Sequence, residues 1–143
     1  MSVPGPAVRT HLGIDPRLCG RPVEVGEGSA VVAFEALPEM AADERGLVHG
    51  GFVFGLADFA AMLAVNHPHV VLGSAEVRFL KPVTVGERLE ARAVVAETDG
   101  RKSRVRVEVQ RSRPGETAAE AVMAGSFLCF TLEHHVFDAG GKR

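Results

Sequence analysis

Several residue types are scarce in this chain of 143 residues, and each scarcity narrows its class. Tryptophan and tyrosine are absent, so eight phenylalanines carry the non-histidine aromatic packing. Two cysteines, Cys19 and Cys129, are too few for a disulfide framework and are expected as free thiols in a reducing compartment. Neither sign of charge dominates: 16 basic side chains face 18 acidic ones, for a net charge of -2. A nucleic-acid binder normally carries a basic excess or patch, so no nucleic-acid partner is expected. No apolar run reaches the ~20 residues that a membrane-spanning helix needs, and Met1–Leu12 lacks the apolar core of a secretory signal. A soluble, cytoplasmic protein with no membrane partner is the expectation. Walker and Rossmann fingerprints are missing. His67, His69, His134 and His135 do not combine with acids or thiols at metal-ligand spacing, so no metal is expected.

What is present suits one globular domain, with 46% hydrophobic and 24% charged residues. Residues 1–28 read as an irregular lead-in, with a helical turn expected at Val8–Leu12 and a strand beginning at Pro22–Val25. Ser29–Leu37, rich in Val, Ala and Phe, reads as the first firm strand, stopped by Pro38. From Val70 onward nearly everything reads as strand: Val70–Leu80, Arg88–Thr98, Ser103–Ser112 and Thr117–Leu132. Asp99-Gly100 is a hairpin signal and Pro114-Gly115 another turn. In the third of these strands Val105, Val107 and Val109 share the inward phase, and Arg104, Arg106, Glu108 and Gln110 the outward one. With no repeat or linker, residues 29–132 are expected to form one domain between the lead-in and a tail at 133–143.

Between these strands His49–Asn66 reads as two opening glycines followed by a helix that is apolar almost all the way round, which must be buried. Pro68 prevents its continuation. One carboxylate, Asp58, interrupts it, and a buried acid needs a partner, water or a chemical task. Short turns force the later strands to be antiparallel. The expected fold is therefore α+β, with a five- or six-stranded antiparallel sheet wrapped around one long central helix. Val70–Leu80 is expected at a sheet edge, where a second copy of the chain would cover it.

The order strand, His-Gly-Gly loop, buried helix and four-stranded meander resembles the hotdog fold. His49-Gly50-Gly51 with Asp58 nine positions after His49, then Val77-Arg78-Phe79-Leu80-Lys81-Pro82-Val83 and Gly86-Glu87, is similar to the acyl-CoA thioesterases of the phenylacetic-acid-degradation (PaaI-like) type. The likeness covers residues 29–132. It implies hydrolysis of an acyl thioester to free acid and coenzyme A, with the coenzyme A thioester as substrate and no cofactor. It also implies that the Gly50 N–H polarises the thioester carbonyl and that Asp58 acts as general base or nucleophile. The place of a loop Asn in that family falls on Asp43, which when ionised accepts hydrogen bonds but donates none. Gly51, Asp43 and Lys81 are candidates for binding substrate, and His49 for ordering the loop or moving a proton.

The chemistry is coherent on physical grounds. A helix N-terminus offers unpaired N–H groups and a positive dipole end to a developing oxyanion, and such donors are worth about 3 kcal/mol each in the transition state. Yet Gly50 and Asp58 are separated by roughly 12 Å along one helix at about 1.5 Å per residue. Two helices related by a two-fold axis would bring one copy's Asp58 to the other's Gly50, so a homodimer or a dimer of dimers is expected. Two other readings stay open: an acyl-CoA-binding module without catalysis, and an acyl-thioester dehydratase.

Overall fold

The computed structural model describes residues 5–138, in which one antiparallel sheet curves around one long helix. The elements are α1 (Pro16–Cys19), β1 (Arg21–Gly26), β2 (Ser29–Glu35), α2 (Gly50–Val65), β3 (Val70–Phe79), β4 (Arg88–Asp99), β5 (Lys102–Ser112) and β6 (Glu120–Thr131). All five strand pairings are antiparallel, in the spatial order β1-β2-β4-β5-β6-β3. The fold class is thus the expected α+β, with six strands. No described helix is long and apolar enough to cross a membrane.

The core lies between α2 and the inner face of the sheet. Leu56, Ala57, Ala60, Ala61 and Leu63 are fully enclosed, packed with Val105, Val107, Val109 and Phe127 from the strands. From Arg104 to Gln110, β5 keeps the alternation expected of it, valines inward and polar or charged side chains outward. One stripe of α2 stays less covered: Gly51, Phe54, Gly55, Asp58 and Val65, which recur at helical spacing along one side. A segment from Ala7 to Cys19 lies across another side. Asn66, in the left-handed conformation at the helix C-terminus, fastens it by accepting from the Arg9 N–H and donating to the Ala7 carbonyl, both at 2.8 Å.

Three expectations need correction. The helical turn of the lead-in is at Pro16–Cys19, where Asp15 caps it through the Arg17 N–H, and not at Val8–Leu12. The strand expected to begin at Pro22–Val25 is present as β1, which starts at Arg21 and pairs with β2. Residues 1–4 and 139–143 lie outside the described residues. The later strands are not a simple meander: β3 sits beyond β6 at the edge, and the loop 80–87 carries the chain back across the end of the sheet to β4. That loop is anchored on its way by Val48 N–H to Val83 carbonyl and Gly86 N–H to Ala36 carbonyl bonds, both 2.8 Å. Finally, the sequence of Val70–Leu80 alternates without a break, with Val71, Gly73, Ala75, Val77 and Phe79 on one side, but the phase of β3 flips at a bulge between Leu72 and Ser74, so that Val70 and Leu72 precede it on the inner face and Ala75, Val77 and Phe79 follow. Gly73 is required there, because a Cβ would overlap the ring of Phe130.

Candidate active site

The N-terminal end of α2 is built to stay open. His49 is the N-cap with extended backbone (φ -63, ψ 131), its N–H bonded to the Met40 carbonyl at 2.9 Å, and its side chain makes no capping bond. The first turn contains no acidic residue. Its glycines let other groups approach the backbone. A Cβ on Gly51 would lie 2.8 Å from His49 Nε2, and one on Gly50 would lie 3.4 Å from the ring of Phe79. His49 therefore folds over Gly51 and meets Phe52 edge-on, with ring centroids 6.1 Å apart.

In front of this end is a groove of about 310 Å³. Val48, Gly50 and Val53 line the helix side; Phe79–Val83 and Val122 line the other. The lining is apolar except for Lys81, whose ammonium bonds Glu120 at 2.8 Å at the rim. Gly50, Gly51, His49 and Lys81 are thus brought to one place. Asp43 is nearby in sequence but exposed, and its Oδ1 accepts from the N–H groups of Arg45 (2.9 Å) and Leu47 (3.1 Å). It shapes the turn that leads into the helix.

Asp58 lies about two turns further along α2, on the less-covered stripe. Its Oδ1 is buried and has no hydrogen-bond partner. Burial without compensation pushes the carboxyl up to about 6, because the charged form loses its water. Its charge also helps to raise the thiols of Cys19 and Cys129, for both of which burial is the larger cause. Asp58 therefore has the end of α1 on one side and β6 on another. Within a single chain the donor end and the acid stay apart, as the helix rise requires.

Two residues at this end escaped the sequence reading. Phe79, 55% exposed, forms the wall against Gly50, a contact that only the tertiary fold creates. Arg111, 8% exposed, occupies the inward phase of β5 in line with Val105, Val107 and Val109, and that phase was the available signal. Among the described residues no group of three or more His, Cys, Asp or Glu is placed to hold a metal ion.

A curved antiparallel sheet around one central helix, with a glycine turn at the helix start, defines a hotdog domain. The model of the thioesterase superfamily matches residues 45–118, about half of the chain, and the chain belongs to that superfamily. Among curated proteins it is similar to a methylthioribose-1-phosphate isomerase of Aquifex aeolicus, 55% identical over 101 residues, which are 71% of this chain and 22% of that protein. It is also similar to the transcription factor FapR of Shouchella clausii, 29% identical over 104 residues, 73% of this chain and 51% of that protein. The chain thus spans from about a fifth to about half of the length of these relatives. Among solved structures it resembles uncharacterized protein PH1136 of Pyrococcus horikoshii (TM-score 0.84, 51% identity, 96% of this chain and 100% of that one). A single-residue variant of the phenylacetic acid degradation protein PaaI of Thermus thermophilus is also similar (TM-score 0.70, 33% identity, 80% of this chain and 95% of that one).

Proposed function

We propose that the chain is an acyl-CoA thioesterase of the type represented by PaaI, acting as a homodimer or dimer of dimers in the cytoplasm. The observation that carries this reading is the Asp58 carboxyl, with one oxygen buried and unpartnered and its titration raised to about 6, on the same helix whose donor end opens into an apolar groove. A buried acid with no partner is costly to keep unless its chemistry is used.

In this reading the thioester carbonyl sits at the start of α2, with its oxygen facing the Gly50 N–H. Asp58 of a second copy takes a proton from water as the water oxygen bonds to the carbonyl carbon, and the developing oxyanion gains the amide donor and the helix dipole. The tetrahedral intermediate expels the coenzyme A thiolate, which recovers the proton, and the free acid leaves. Direct attack by the carboxylate, giving a mixed anhydride that water then cleaves, uses the same two groups. The groove walls hold the chain of the substrate, and Lys81 and Gly51 border it. His49 and Asp43 order the loop that presents Gly50.

Thiol release from short, long and aryl acyl-CoAs tests this. Asp58→Asn is expected to lower kcat at least about a hundredfold, the scale of a lost general base, with the circular-dichroism spectrum unchanged. Near-normal turnover in Asp58→Asn would remove Asp58 from the mechanism. Saturable acyl-CoA binding without thiol release from any substrate would establish a non-catalytic binding module instead.

A further inference from the structure

We infer that Arg111 is the positioning residue of the groove, fixing its Leu80–Val83 wall and the ammonium of Lys81 from behind. Arg111 lies on the inner face of β5 at the end of the sheet, 8% exposed. Its Nη1 donates to the Pro82 carbonyl. Its Nη2 donates to Glu120 Oε1 at 2.8 Å, and Glu87 Oε1 lies 3.6 Å from Nη1. Glu87 is itself buried, at 4% exposure, and accepts from the Thr84 N–H at 2.8 Å and from Arg113 Nε at 2.7 Å. The other oxygen of Glu120 accepts from Lys81 Nζ at 2.8 Å. Five charges of alternating sign therefore run Arg113, Glu87, Arg111, Glu120, Lys81, and the last stands at the groove rim.

The contacts reach past the wall to the donor end. The Leu80 N–H bonds the Val122 carbonyl at 2.7 Å, and the Val83 carbonyl accepts from the N–H of Val48, two residues before Gly50. Arg111 touches both the backbone of the wall and the acid that holds Lys81. Apolar side chains in place of the whole cluster would close this end of the sheet at little net cost, since desolvating the charges offsets much of their attraction. What a forked guanidinium adds is fixed geometry toward a carbonyl and a carboxylate at once. The Leu80–Val83 side of the groove is a loop between strands and not part of the sheet, and that side is the part so held.

Hydrogen exchange and thioester kinetics on the full chain test this together. In Arg111→Lys, which keeps the charge but loses the fork, exchange of segments 46–53 and 79–86 should quicken about tenfold while the centres of β4 and β5 stay unchanged. KM for an acyl-CoA should rise about fivefold with kcat within about twofold, since the wall binds ground and transition state alike. If Arg111→Lys does not fold, Glu120→Gln at a half-exposed site serves instead. It removes the negative charge that Arg111 and Lys81 share, and should quicken 79–86 and raise KM about threefold. The kinetic arm rests on the thioesterase reading and the exchange arm does not. Local quickening in a protein that releases no thiol keeps Arg111 in its role and sinks that reading alone. Uniform acceleration across the sheet, no acceleration in either variant, or an unchanged KM in an active enzyme overturns the positioning role.

Discussion

Asp58 concentrates the tension between stability and chemistry in one side chain. An aspartate in an unfolded chain titrates near ~3.9, whereas burial lifts this one to about 6 in the folded protein. Between those values the unfolded state gives up its proton first, so stability falls as pH rises from about 4 to about 6 and stays reduced above that. Asp58→Asn removes the charge and keeps the shape. It should therefore stabilise the protein at pH 8, by on the order of 1 kcal/mol after solvent screening, and change little at pH 4. Thermal melts of both proteins at the two pH values check this; an equal gain at both would show that the charge is not the cause. In the proposed mechanism the same titration governs activity with the opposite preference. A base must be ionised, so kcat/KM should fall about tenfold per pH unit below about 6 and level off above it. In the proposed mechanism the form of Asp58 that destabilises the fold is the one that acts as base.

Among the elements, α2 depends on how it ends as much as on how it starts. Asn66 has a φ of 52, and the same side chain fastens Arg9 and Ala7. Two substitutions separate these roles. Asn66→Gly keeps the left-handed turn and loses the two bonds, for about 1–2 kcal/mol. Asn66→Ala loses the same bonds and keeps a Cβ in that conformation without the polar side chain that tolerates it, so it should cost about 1 kcal/mol more than Asn66→Gly. Chemical denaturation of both variants measures the difference, and equal losses would mean that the backbone conformation contributes nothing. The sequence announces the helix, its stop before Pro68, the Asp99-Gly100 hairpin and the alternation of β5, because periodicity and turn chemistry are local. It does not announce that β3 pairs with β6, since a loop of eight residues permits several neighbours and the choice depends on contacts distant in sequence. The bulge at Gly73 is hidden for a related reason: unbroken alternation is the simpler reading until Phe130 is seen to need the space. At the site, His49, Gly50, Gly51 and Asp58 stand out by motif and by an acid among apolar residues. The motif includes Gly86-Glu87, but no local pattern announces that Glu87 is buried, because its partners are a turn amide and an arginine just beyond β5.

For the whole molecule, the two free edges of the sheet differ in what they invite. β1 carries Pro22 and a bulge, and Gly5 lies close against the Val25 carbonyl, so this edge is interrupted and partly covered. β3 is ten residues long, largely exposed from Gly73 onward, and packs against α2. Pairing of two copies along β3 would continue the sheet and set the two α2 helices side by side in opposite directions. One copy's Asp58 would then face the other's Gly50, overcoming the separation of roughly 12 Å that one helix imposes. Complementation between two dead variants tests the shared site directly. Gly50→Pro removes the donor N–H and little else: proline is favoured in the first turn of a helix, and His49 already has the extended backbone that a following proline requires. Asp58→Asn removes the acid. Each protein alone should be nearly inactive. Unfolded together and refolded as an equal mixture, half of the dimers are mixed, and each mixed dimer has one site with both groups intact and one with neither. About a quarter of the wild-type activity should therefore return, on the ordinary statistics of a two-fold assembly. If each chain completes its own site, no activity returns however the subunits exchange, because every site then lacks either the donor or the acid.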